Sequence, residues 1–191
     1  MSEAASLNPS KRVGPPKRDA AAHGTIMDAV QTLLQTTSVR DLTMEAVAKY
    51  AGVGKPTLYK WWPSKAALVL AFFNERLALA VPDRAEETFA DEIRHRVRRL
   101  IAEFQGQLGR ITAELVAEGQ SDPAVLQEFY DRHIIVRRAQ TVAAIEKAKA
   151  RGELRPDTKA ELLVDEIFAP IYYRLILRIA RFSLITTPPR L

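Results

Sequence analysis

The stretch Ala51-Gly52-Val53-Gly54-Lys55-Pro56-Thr57-Leu58-Tyr59-Lys60-Trp61-Trp62-Pro63-Ser64-Lys65-Ala66-Ala67-Leu68 decides how this chain is read. It spells a tight turn between two short helices. Upstream, Thr43 can cap a helix in which Met44, Val47, Ala48 and Ala51 share one face at i, i+3, i+4 and i+7. That helix must stop at Gly52, which can take the left-handed conformation of a helix end, and Val53 can then plug the core between the two helices. A second helix restarts at once. Gly54 is a permissive cap, Pro56 is tolerated in a first turn, and Leu58 and Trp62 stand four apart on an inward face. Lys55, Thr57, Tyr59, Lys60 and Trp61 are left facing outward or at the edge.

These outward residues suit a nucleic-acid surface. Lysine reaches guanine acceptors or phosphates, threonine and tyrosine hydroxyls donate to phosphates, and proline offers an apolar contact to a thymine methyl. Ser64 and Lys65 open the next helix, where free backbone N–H groups and the positive dipole end also favour a phosphate. One lysine alone is an ordinary solvated charge. A one-turn break between two short helices, the second rich in polar and aromatic groups, is instead the pattern of a helix-turn-helix.

The segment Thr43 to Leu68 resembles the DNA-binding unit of the TetR family of bacterial transcriptional regulators. The likeness rests on Ala51-Gly52-Val53, Thr57-Leu58-Tyr59, Trp62 and Ser64-Lys65-x-x-Leu68 at the family's spacing. Ile26, Ala29, Val30, Leu33 and Leu34 extend it backwards as a first helix, so that it covers residues 19–79. The resemblance implies that Lys55, Pro56 and Thr57 face base edges, and that Tyr59, Lys60, Trp61 and Lys65 grip phosphates. Thr43 would hold the first helix of the motif against the DNA backbone. Two positions depart from the pattern: Glu45 stands where the family often has arginine, and Gly54 replaces the more usual serine cap.

Bulk properties agree. The 191 residues carry a net charge of +5, 47% hydrophobic residues and no cysteine, so disulfides and thiolate metal sites are excluded. Residues 1–70 hold nine Lys/Arg against five Asp/Glu, and residues 71–191 hold nineteen against eighteen, which concentrates positive charge at the helix-turn-helix end. Residues 1–18 lack an apolar signal stretch, and no apolar run is long enough to span a membrane, so a cytoplasmic protein is expected. Those residues, with Pro9, Pro15, Pro16, Lys11, Arg12, Lys17 and Arg18, read as a disordered basic arm that either enters the minor groove or adds general attraction.

Beyond residue 80 the chain reads as longer helices, giving an all-α fold of about 8–9 helices: a three-helix DNA-binding domain at 19–79, with its motif at 43–62, and a helical bundle at 80–191. Ile93, Val97, Leu100, Ile101, Phe104 and Leu108 form one stripe, with a bend at Gly106 and Gly109. Asp122-Pro123 starts a helix that runs to about Arg151, and Thr158 with Glu161 forms a capping box for a last helix. From Leu162 to Ile185 that helix is apolar on nearly every side, with a kink at Pro170, yet Arg174, Arg178 and Arg181 argue against a membrane span. A second subunit is the expected source of part of its cover. A homodimer would also let two short recognition helices read a palindromic operator in double-stranded DNA.

Arg151-Gly152-Glu153-Leu154 and Pro170-x-Tyr172-Tyr173-Arg174 resemble the carboxy-terminal domain of one TetR subgroup. The family's closing long helix is missing before Leu191, which implies a smaller or differently arranged dimer. Membership further implies a small-molecule effector, of unknown identity, that loosens the grip on the operator. Phe104, Leu108, Ile111, Phe129, His133, Val136, Phe168 and Tyr172 are the candidates to line its pocket. The competing reading of aromatic residues at helical spacing is plain core. An enzyme finds one weak motif, Glu92-x-x-His95, the half-site of a di-iron bundle, with no second copy. No cofactor, metal or catalytic residue is therefore expected. The expected protein is a repressor released by its effector, and the alternative is a ligand-independent or architectural DNA binder.

Overall fold

The computed structural model describes residues 17–80 and 88–179. Among them lie nine α-helices, one π-helical turn and no strand: α1 (Lys17–Thr36), α2 (Met44–Ala51), α3 (Lys55–Trp61), α4 (Lys65–Ala80), α5 (Phe89–Phe104), α6 (Gln107–Ser121), α7 (Pro123–Phe129), the π turn (Tyr130–Ile134), α8 (Ile135–Ala150) and α9 (Ala160–Ile176). The all-α expectation holds. Residues 1–16 of the expected arm lie outside the described residues, whereas Lys17 and Arg18, also expected in that arm, form the first turn of α1.

Local chemistry places the helix ends. Thr43 accepts the Ala46 N–H at 3.1 Å and so caps α2. Gly52 takes φ +66° at the other end, with Val53 N–H donating to Ala48 O at 3.0 Å. Asp122 caps α7 through the Ala124 N–H, and Pro123 fills the first helical position. The expected helix from Asp122-Pro123 to Arg151 is interrupted once, where Ile135 N–H reaches back five residues to Tyr130 O.

Two expectations at the last helix are corrected. Thr158 and Glu161 do not form a capping box: Lys159 is the cap and has no side-chain cap bond, and the Thr158 N–H is spent on Arg155 O in the preceding turn. The helix also stops at Ile176 rather than Ile185. Arg178 adopts φ +51°, and Ile179 and Arg178 donate to the carbonyls of Arg174 and Leu175, closing a Schellman turn without glycine. Pro170 lies inside α9.

Among the described residues, the larger of two apolar clusters runs from the first helices to α9, and a smaller one joins Phe89, Ile145, Ala148 and Val164. Ile26, Val30, Leu34, Val47, Leu58 and Trp62 of the first three helices meet α4, whose residues 66–70, Phe72, Phe73 and Leu77 are all buried. The larger cluster continues into Leu100, Phe104, Ile111, Leu115, Phe129 and Ile171. A helix buried on this many sides is the hub of the fold. Gly109 lets the α5–α6 bend close, because a Cβ there would stand 2.0 Å from Phe104 O.

Candidate nucleic-acid interface and cavity

Helix α3 sorts its side chains by the 3.6 period. Leu58 and Trp62 are buried, whereas Lys55, Pro56, Tyr59 and Lys60 are exposed and form a single strip. Thr57 and Trp61 flank it, half-buried. Trp61 turns back toward the protein: it meets Trp62 edge-on at 5.6 Å and lies 6.4 Å from the His23 ring of α1. His23 Nε2 in turn donates to Glu75 Oε1 of α4 at 2.7 Å, tying three helices together behind the strip.

The cations are differently placed. Lys55 Nζ pairs with Glu45 Oε1 of α2 at 2.8 Å, and both side chains are more than half exposed. That lysine holds the Glu45 carboxyl below its usual range, chiefly through the hydrogen bond. Lys49, one turn beyond Glu45, is exposed on the same flank of α2 and escaped the sequence reading, although its i, i+4 spacing was visible. Lys65 is not an open cation. Its Nζ donates to Arg40 O at 2.8 Å and pairs with Glu118 of α6 at 3.1 Å. Ser64 caps α4 through the Ala67 N–H and donates to Glu128. The Thr43 oxygen is occupied as a cap, which leaves its proton free to donate.

A polar row on α6 meets the first helices. Gln107 donates to the Gln31 carbonyl of α1, and Arg110 to that of Leu34 in the last turn, where carbonyls lack helical partners. Glu114 accepts the Val39 N–H at 2.7 Å, and Glu118 holds Lys65.

A cavity of about 190 Å³ lies between α4, α5, the π turn, α8 and α9. Of the eight residues expected to line a pocket, His133, Phe168 and Tyr172 do so. Phe104, Leu108, Ile111 and Phe129 are buried in the core instead, and Val136 is 46% exposed. Leu108 and Ile111 belong to α6, none of whose residues borders the cavity. The cavity also recruits Arg96, Arg137 and Arg138, polar residues that no apolar stripe marks. Burial pushes the His133 imidazole down to about 3, with the Arg137 charge adding to the effect, and burial pushes the Tyr172 hydroxyl up to about 12. Glu92 is engaged by Arg96 at 2.9 Å, and no group of three potential metal ligands exists among the described residues.

An exposed recognition-type helix on a scaffold that is helical among the described residues is the arrangement of a DNA-binding regulator, and similarity to known proteins agrees. Residues 26–72 match the family described as bacterial regulatory proteins, tetR family, and residues 81–183 match the tetracyclin repressor-like, C-terminal domain. The chain belongs to the TetR family of transcriptional regulators. It is 34% identical to the uncharacterized HTH-type transcriptional regulator YdeS of Bacillus subtilis (strain 168), over 88% of this chain and 84% of that protein. Identity to HTH-type regulator EthR of Mycolicibacterium smegmatis is 29%, over 70% and 63%. The crystal structure of the TetR family transcription regulator SCO0332 superposes with a TM-score of 0.73 at 29% identity, covering 84% of this chain and 88% of that one. FadR from Bacillus subtilis, solved with stearoyl-CoA, shares the fold with a TM-score of 0.66 at 16% identity, covering 86% and 90%.

Proposed function

We propose that this regulator binds a palindromic operator as a homodimer, represses transcription in the cytoplasm, and is released by a small molecule held in the α4–α9 cavity. Residues 1–18 act as the basic arm, 19–79 as the DNA-binding domain and 80–191 as the effector and dimer domain. The observation that carries the reading is the exposed strip Lys55, Pro56, Tyr59 and Lys60, set on a helix anchored by Leu58 and Trp62. Lys55, Pro56 and Thr57 approach base edges, and Tyr59, Lys60 and the Thr43 hydroxyl approach phosphates. Trp61 and Lys65 support the helix from behind, a role that follows from their protein contacts. Dimerisation is supported by exposed Leu162, Tyr173, Ile176 and Leu177 along α9, large apolar groups that a lone subunit leaves in water.

Selection of bound sequences from a random DNA pool tests operator binding and symmetry together. Inverted half-sites about one DNA turn apart are expected. Half-sites without symmetry, or a protein that sediments as a monomer on DNA, overturn the dimeric reading.

A further inference from the structure

We infer that the cavity takes a small neutral phenol, bound through its hydroxyl between His133 and Tyr172; this rests on the effector reading above. The ring nitrogens of His133 have assigned roles. Asn74 Nδ2 donates to Arg132 O at 3.2 Å, which turns Asn74 Oδ1 toward His133 Nδ1 at 2.7 Å. An amide oxygen only accepts, so Nδ1 carries the proton. The ring is buried beside Phe129 and Phe73 and is neutral, so Nε2 is a bare acceptor.

Nε2 faces Tyr172 Oη at 3.4 Å, long for an O–H···N bond. The neighbouring polar groups are already bound: Arg96 to Glu92 and Thr141, Arg138 to Glu161 and Asp165. A hydroxyl that wedges this loose pair about 1 Å further apart donates to Nε2 and accepts from Tyr172, replacing one long bond by two of ordinary length. A carboxylate is drawn by the Arg137 charge but has no proton for Nε2 and leaves that buried acceptor unpaired. An ether cannot donate either, and an ammonium is repelled by the Arg137 charge that both His133 and Tyr172 feel. The rest of the wall is Leu77, Leu100, Ile134, Val164, Phe168 and Ala169, which favours a flat apolar body. An apolar cavity of roughly 150 Å³ accommodates benzene, so about 190 Å³ suits one ring with a small substituent. Because Asn74 belongs to α4, the helix that follows the recognition helix, the occupied His133 touches the element that carries α3.

The test is calorimetric titration of the full chain with 4-methylphenol, 4-methylanisole and 4-methylbenzoate, together with 15N spectra of the His133 ring. The phenol should bind at least tenfold tighter than the anisole, shift the Nε2 resonance and leave the Nδ1–H tautomer in place. Tyr172→Phe, which keeps the ring, should weaken the phenol about three- to tenfold and the anisole little. Anisole binding within threefold of the phenol, tighter benzoate binding, or no binding by any probe overturns the proposal. Operator affinity measured with each probe separates the two readings. A bound phenol that leaves DNA affinity unchanged defeats the effector role alone, whereas release by the anisole or benzoate instead defeats only the phenol assignment.

Discussion

Lys65 Nζ and Glu118 Oε1 lie 3.1 Å apart and join the first residue of α4 to α6, so a lysine that sequence assigns to a DNA phosphate is anchored within the protein. Glu118 Oε2 is buried without a partner, which makes this lysine the main compensation for the carboxylate. Lys65→Ala should therefore lower stability by about 1–2 kcal/mol, below the value for a fully buried pair because a quarter of each side chain is wetted. Glu118→Gln should cost less. Urea denaturation of both single variants and the double variant checks the coupling; additive losses would show that the contact is energetically idle.

Lys55 is shared with Glu45 in the free protein. Glu45→Gln releases that cation toward the duplex, and binding should tighten at low salt, with the logarithmic salt slope steeper by about one. Lys55→Ala should both weaken binding and relax base preference. Titrations of a selected operator between low and physiological salt measure both effects.

The two bends rank differently. Gly109→Ala forces a methyl to within 2.0 Å of the Phe104 carbonyl, backbone that cannot yield cheaply, and should cost about 3 kcal/mol. Gly52→Ala meets no atom within 4 Å but must hold φ +66°, worth about 1–2 kcal/mol. Thermal melts should reproduce that order.

Acid should act through His133. Its folded value, about 3, lies below the ordinary 6.5, so the unfolded chain binds the proton first. The contribution is intact above pH 6.5 and is lost as pH falls toward 3, at up to about 1.4 kcal/mol per pH unit. Between pH 7 and 5, where carboxylates remain charged, wild type should lose stability faster than His133→Gln. Parallel curves would place the titration elsewhere.

Sequence revealed what local rules control. Leu58 and Trp62 fell inward because one helical period and one glycine turn settle their faces, and the Gly106–Gly109 bend was visible for the same reason. Contacts between distant segments stayed hidden. Nothing local marks Glu118 as the partner of Lys65, or Asn74, 59 residues before His133, as the group that orients its ring. The end of α9 escaped because Arg178 holds a positive φ that turn rules reserve for glycine. Phe104 looked like a pocket residue, but its ring packs edge-on against Tyr172 at 5.6 Å from the core side.

The unbroken apolar seam through α4 has a further consequence. From Ile26 to Ile171 it offers no weak plane along which the DNA-reading end could detach and melt alone. A scanning calorimeter should see a single endotherm, and any signal entering near His133 must travel by tilting a stiff lever rather than by loosening a joint.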